Sequence, residues 1–165
     1  TIYYVPTPDH AYDSVQYITT QVPAGWVIRG LHHWGASAMV VLTILHMVRV
    51  ILYGAYKFPR EVTWFTGVGL LLVVIGFGFT GYLLPWDQKA YWATTVGTLI
   101  AGTPPVIGDW ILRLVRGGEG LTAITLARFL GIHVWVLPSV LMLLLGIHMF
   151  LVIRNGISAK PSREE

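Results

Sequence analysis

Two pairs of histidines on long apolar stretches carry the chemistry of this chain: His32 with His46, and His133 with His148. The members of the pairs are 14 and 15 residues apart. At about 100° and about 1.5 Å per residue, each pair falls near one face of a helix, with its members roughly 21–22 Å apart along the axis. That distance rules out a single tetrahedral zinc shell within either pair. It suits two ligand levels at two depths of one membrane.

The elements that carry these residues must span a bilayer. The stretches 28–53, 64–84 and 129–154 are each apolar and long enough to cross a hydrocarbon layer of about 30 Å, which takes about 20 helical residues. The 165-residue chain is 55% hydrophobic and 12% charged, with a mean hydropathy of +0.64. A water-soluble domain carries about twice that charge. The expected fold is all-α: a multi-pass transmembrane bundle with three spans in one domain, in contact with membrane lipid.

The formal charge of +3 is informative by position and gives no nucleic-acid signature. Lys57 and Arg60 lie between the first two spans, and Arg154, Lys160 and Arg163 follow the third. Asp9 and Asp13 precede the first span. By the positive-inside rule, the short connection and the tail face inward and the N-terminal segment outward. The longer connection from Asp87 to Arg128 is then also outside, although it holds Lys89, Arg113, Arg116 and Arg128. Its two apolar pieces, 91–100 and 106–115, flank Gly102-Thr103-Pro104-Pro105 and are too short to span, so they read as amphipathic helices on the outer surface. The aromatic-rich segment before Trp26 reads as interfacial.

Spans one and three then run in the same direction. This sets His32 level with His133 near the outer face and His46 level with His148 near the inner face. Two facing imidazoles at each level fit a bis-histidine haem, whose six-coordinate iron carries electrons and leaves no position for substrate. The absence of cysteine excludes thiolate iron–sulfur ligation and covalent Cys-x-x-Cys-His haem attachment within these residues. The competing reading of a lone intramembrane histidine is a helix–helix hydrogen bond or a proton-path element. Matched pairs at two depths favour haem.

Other side chains share these faces. Arg29 precedes His32 by three residues and Arg49 follows His46 by three, a spacing that puts each guanidinium on its ligand's side. Haem propionates would supply the anion that an arginine there requires, and snorkelling to lipid headgroups is the alternative. On the middle span Gly67 and Gly81 are again 14 apart, leaving room on one face for a flat macrocycle, although glycine is also common at plain helix contacts. His33 is about 100° from His32, and His10 lies outside the spans. Both read as interfacial.

Several ordered motifs resemble the N-terminal haem-binding half of cytochrome b. They are Gly25-Trp26-Val27-Ile28-Arg29-Gly30-Leu31-His32, Gly35-Ala36-Ser37, His46-Met47-Val48-Arg49, Gly81-Tyr82-Leu83-Leu84-Pro85-Trp86-Asp87-Gln88, and Arg128-Phe129 ahead of His133. The 15-residue spacing on the last helix, Asp87 where long forms usually have glycine, and the short tail after Gly156-Ile157-Ser158 resemble the split, cytochrome b6 type. The resemblance implies two non-covalent haem b groups, the lower-potential one on His32 and His133 and the higher-potential one on His46 and His148. It implies Arg29, Arg49, Gly67, Gly81 and Arg128 at the cofactors, and Tyr82, Pro85 and Trp86 as one wall of a quinol pocket. Arg154 is near the family's inner quinone-site positions.

The implied assembly is a quinol–cytochrome c or quinol–plastocyanin reductase, in a bacterial cytoplasmic or thylakoid membrane, that couples quinol oxidation to proton translocation. Its implied partners are a Rieske iron–sulfur protein, a C-terminal cytochrome b half or subunit IV-like chain, a c-type cytochrome or plastocyanin acceptor, and a second copy of the complex. The family's four-helix bundle has a further helix ahead of Thr1, where some relatives attach a third haem to cysteine. Its Pro-Glu-Trp-Tyr motif belongs to the other half. Two alternatives differ in class: a di-haem b membrane anchor of another respiratory oxidoreductase, and a non-redox transporter or scaffold.

Overall fold

A computed structural model describes residues 2–158, so Lys160 and Arg163, which entered the orientation argument, lie outside the described residues. The described residues are helical and irregular, with no strand among them. The helices are α1 (Ala11–Thr20), α2 (Gly25–Leu52), α3 (Glu61–Leu83), α4 (Gln88–Ala101), α5 (Gly108–Arg116) and α6 (Ala123–Asn155). Helices α2, α3 and α6 are long and apolar enough to cross a membrane, and the chain is a multi-pass integral membrane protein.

Each spanning helix begins ahead of its apolar stretch. Helix α6 starts at Ala123, six residues before Phe129, because Thr122 and Thr125 form a capping box that closes its N-terminus. It then continues through Pro138, which lacks the donor for a regular helical bond. The chain accommodates this with a π-helical turn at Ile132–Val136, in which the Leu137 N–H reaches the Ile132 carbonyl.

Helix α1 lies within the segment read from sequence only as interfacial. It packs Ala11 and Ser14 inward, and Gly25 lets the chain turn into α2 where a Cβ would overlap the Ile18 carbonyl oxygen. Tyr4 ties this segment down by donating to the Leu84 carbonyl at 2.7 Å, and burial pushes its phenol up to about 12. The buried core, formed by Ala11, Leu83, Leu121, Leu126 and Phe129, gathers at this end of the bundle.

The connection after α3 is built by two local devices. Asp87 accepts from the Ala90 N–H at 2.8 Å and so caps α4, a role glycine in that position would leave unfilled. Arg116 is buried and donates to Thr98 Oγ1, the Thr95 carbonyl and the Glu119 carbonyl, which pins α5 to α4. Helix α4 turns Ala90, Thr94 and Thr98 inward and leaves Trp92, Val96, Leu99 and Ile100 exposed. At the opposite end Arg60 donates to the Gly156 and Ile157 carbonyls, and Asn155 donates to Thr63 Oγ1 at 3.3 Å. The short connection and the end of α6 therefore share one end of the bundle, with α2 and α6 parallel.

Candidate haem-binding site

No Cα atoms of α2 and α6 come within 8 Å of each other, although both pack on α3. Across this gap the His32 and His133 rings approach to 6.1 Å between centres, with their planes at 88°. Two axial metal–imidazole bonds of about 2.0–2.1 Å, with about 1.1 Å from each nitrogen to its ring centre, would set the centres about 6.3 Å apart. The observed separation of 6.1 Å is close to that value. His46 and His148 line one cavity at the other end, together with Arg49, Arg60 and Trp64.

The structure also explains why the two pairs differ in spacing. Fourteen α-helical residues return to within about 40° of the starting face, and fifteen overshoot it by about 60°. The π-turn begins at Ile132, beside His133, and takes one more residue per turn than an α-helix. It absorbs the extra residue of the His133–His148 interval, which brings His148 back toward the face that carries His133.

Gly67 and Gly81 meet the imidazoles themselves. A Cβ at Gly81 would lie 2.6 Å from Cε1 of His133, and one at Gly67 would lie 3.3 Å from Cε1 of His148. In the structure the room they leave is taken up by the edges of the His133 and His148 rings. Beside each glycine stands a threonine that sequence reasoning missed. Thr66 Oγ1 is 2.9 Å from Nδ1 of His148, and Thr80 Oγ1 is 3.1 Å from Nδ1 of His133. The 14-residue repeat of the adjacent Thr-Gly pairs was the available signal.

The remaining candidates are dispersed. Arg49 lies over the Tyr53 ring, 5.4 Å from its centre, and lines the inner cavity. Arg29 donates to Thr19 Oγ1 of α1 at 3.0 Å. Arg128 donates to the Arg113 and Leu114 carbonyls, closing the C-terminus of α5 beside Gly117. Trp86 has φ of +52° and stacks edge-on against Tyr91, while Tyr82 is exposed on the same corner. Arg154 lies in the last turn of α6. His33 contacts Trp34, and His10 precedes α1. Among the described residues no three His, Cys, Asp or Glu side chains converge as a metal cluster.

A family model described as Cytochrome b/b6/petB matches residues 1–156. The chain belongs to the cytochrome b/b6 family. It is 46% identical to the cytochrome b6 of Synechococcus sp. (strain WH7803) over 158 residues, covering 96% of this chain and 72% of that one. The cytochrome b6 of Prochlorococcus marinus (strain NATL1A) gives the same identity and coverage. A solved structure titled "Hyperthermophilic respiratory Complex III" superposes with a TM-score of 0.88 at 36% identity over 99% of this chain. This chain spans 45% of the length of that one. Membership of the cytochrome b/b6 family implies haem b, and the donors available fit it: imidazoles on apolar helices with a gap between α2 and α6.

Proposed function

We propose that this chain is the two-haem electron-transfer subunit of a membrane quinol oxidoreductase. The outer haem b would be held by His32 and His133, and the inner one by His46 and His148. The observation that carries this reading is the His32–His133 approach across an otherwise open gap between parallel helices. Haem held by these four histidines would supply a one-electron couple.

The chain's own groups do the rest. Apolar faces of α2, α3 and α6 exclude water, and four imidazoles at two depths divide the membrane crossing into two shorter stages. Arg49 and Arg60 place positive charge at the inner cavity, where a carboxylate or a reduced quinone would be stabilised. At the outer end Tyr82, Pro85 and Trp86 form one wall of a quinol pocket that a C-terminal cytochrome b half or subunit IV-like chain completes. Quinol oxidation outside releases protons there, and quinone reduction inside takes them up. Arg29 and Arg128 are assigned to the cofactors by family resemblance.

The partners in this reading are a Rieske iron–sulfur protein and a c-type cytochrome or plastocyanin, in a dimeric complex. The cytochrome b6 relatives and the respiratory complex III chain support it. Quinol added to the purified membrane complex should reduce its b-type absorbance, with slower reoxidation in His46→Ala than in the parent. Absorbance that responds to dithionite but never to quinol would contradict the assignment.

A further inference from the structure

We propose that Thr66 and Thr80 are positioning residues that fix the α6 ligand imidazoles in the tautomer and orientation iron requires, one threonine for each level. The inference rests on the haem reading above. Each threonine hydroxyl lies close to a carbonyl of its own helix, Thr63 at 2.8 Å for Thr66 and Gly76 at 2.7 Å for Thr80. A hydroxyl has one proton and two lone pairs. With that proton given to the carbonyl, the oxygen is left to accept from the imidazole Nδ1–H. Nδ1 is then protonated and Nε2 carries the free lone pair.

The geometry is repeated at both levels. Thr66 and Thr80 are 14 residues apart, each followed by the glycine that admits the ring edge, so one Thr-Gly unit both seats and orients each imidazole. Among the described residues His32 and His46 have no such side-chain partner, and their exposed rings face the gap. The contact is therefore specific to the α6 histidine at each level. An Nδ1–H donated to an oxygen raises the basicity of the ligating nitrogen, which favours ferric over ferrous iron and lowers the potential.

The test uses the purified complex, with redox titration of each b haem and haem retention under graded denaturant; bands are assigned to levels with His32→Ala and His46→Ala. Thr80→Val should raise the potential of the outer haem and weaken its retention by about 10–100-fold, leaving the inner haem unchanged. Thr66→Val should do the same to the inner haem alone. Thr66→Ser and Thr80→Ser, which keep the acceptor, should restore parental values, a rescue that loss of packing would not show. If a valine variant fails to assemble, Thr→Ala removes the acceptor without adding bulk and must give the same sign. Parental potentials and retention in the valine variants overturn the inference while leaving the haem reading intact, as does a serine variant as impaired as valine. A parental complex with no b haem overturns both.

Discussion

A methyl group at position 81 would lie 2.6 Å from Cε1 of His133, closer than real Cβ contacts come, and the atom in its way belongs to a ring held by Thr80. At position 67 the same methyl would stand 3.3 Å from Cε1 of His148, a contact that a small ring shift relieves. Gly81→Ala should therefore cost the outer haem most of its occupancy, whereas Gly67→Ala should keep the inner haem; a pyridine haemochrome count on each variant distinguishes them. Tyr4 gives a second test. Its phenol ordinarily ionises near pH 10 and is pushed to about 12 by burial. The stabilisation is full below pH 10 and is lost as pH rises from 10 to 12, because only the unfolded form ionises in that window. Protease sensitivity of the N-terminal segment should rise across that window, and Tyr4→Phe should blunt the rise. The four histidines stood out in the sequence because few polar residues interrupt an apolar helix, and the 14-residue spacing of His32 and His46 nearly matches its turn. Thr66 and Thr80 were not, since a threonine bonded to its own helix is ordinary and only the position of a distant ring gives it meaning.

The interval between His133 and His148 depends on an element that hydropathy does not reveal. Pro138 and the 15-residue spacing were both visible, yet only the fold joins them through the π-turn at Ile132–Val136. Deleting Val136 leaves 14 residues between the ligands, the interval α2 already uses, so the turn can revert to α-helix and both haems should be retained. Deleting Met39 from α2, which has no such slack, rotates His46 by about 100° relative to His32 and should lose one haem. Haem content of the two deletion variants, read against the parent, checks both outcomes. On the outer connection Asp87→Ala removes the cap of α4 and should cost about 1 kcal/mol, measurable as a lower thermal midpoint of the outer segment. Element boundaries diverged from the hydropathy pattern for an allied reason. The start of α6 is set by the Thr122–Thr125 cap, and α1 is a short helix whose polar sequence gave no long apolar period.

For the molecule as a whole, fully buried side chains gather at the outer end, while α2 exposes Trp34, Val41, Leu42 and Leu45 along its length. Such an exposed apolar surface suits hydrocarbon surroundings, and in the proposed function the gap between α2 and α6 would take the cofactors. Apolar run lengths made the three spans legible in the sequence; the gap was not legible, because it depends on how far α3 holds its two neighbours apart. The central claim is one b haem at each of two levels. The most direct measurement is a reduced-minus-oxidised spectrum of the purified complex with a pyridine haemochrome count per copy of this chain, repeated for His32→Ala and His46→Ala. Two b haems in the parent and one in each variant, with different bands lost, is the expected result. No b haem in the assembled parent, or loss of the same band from both variants, would contradict it.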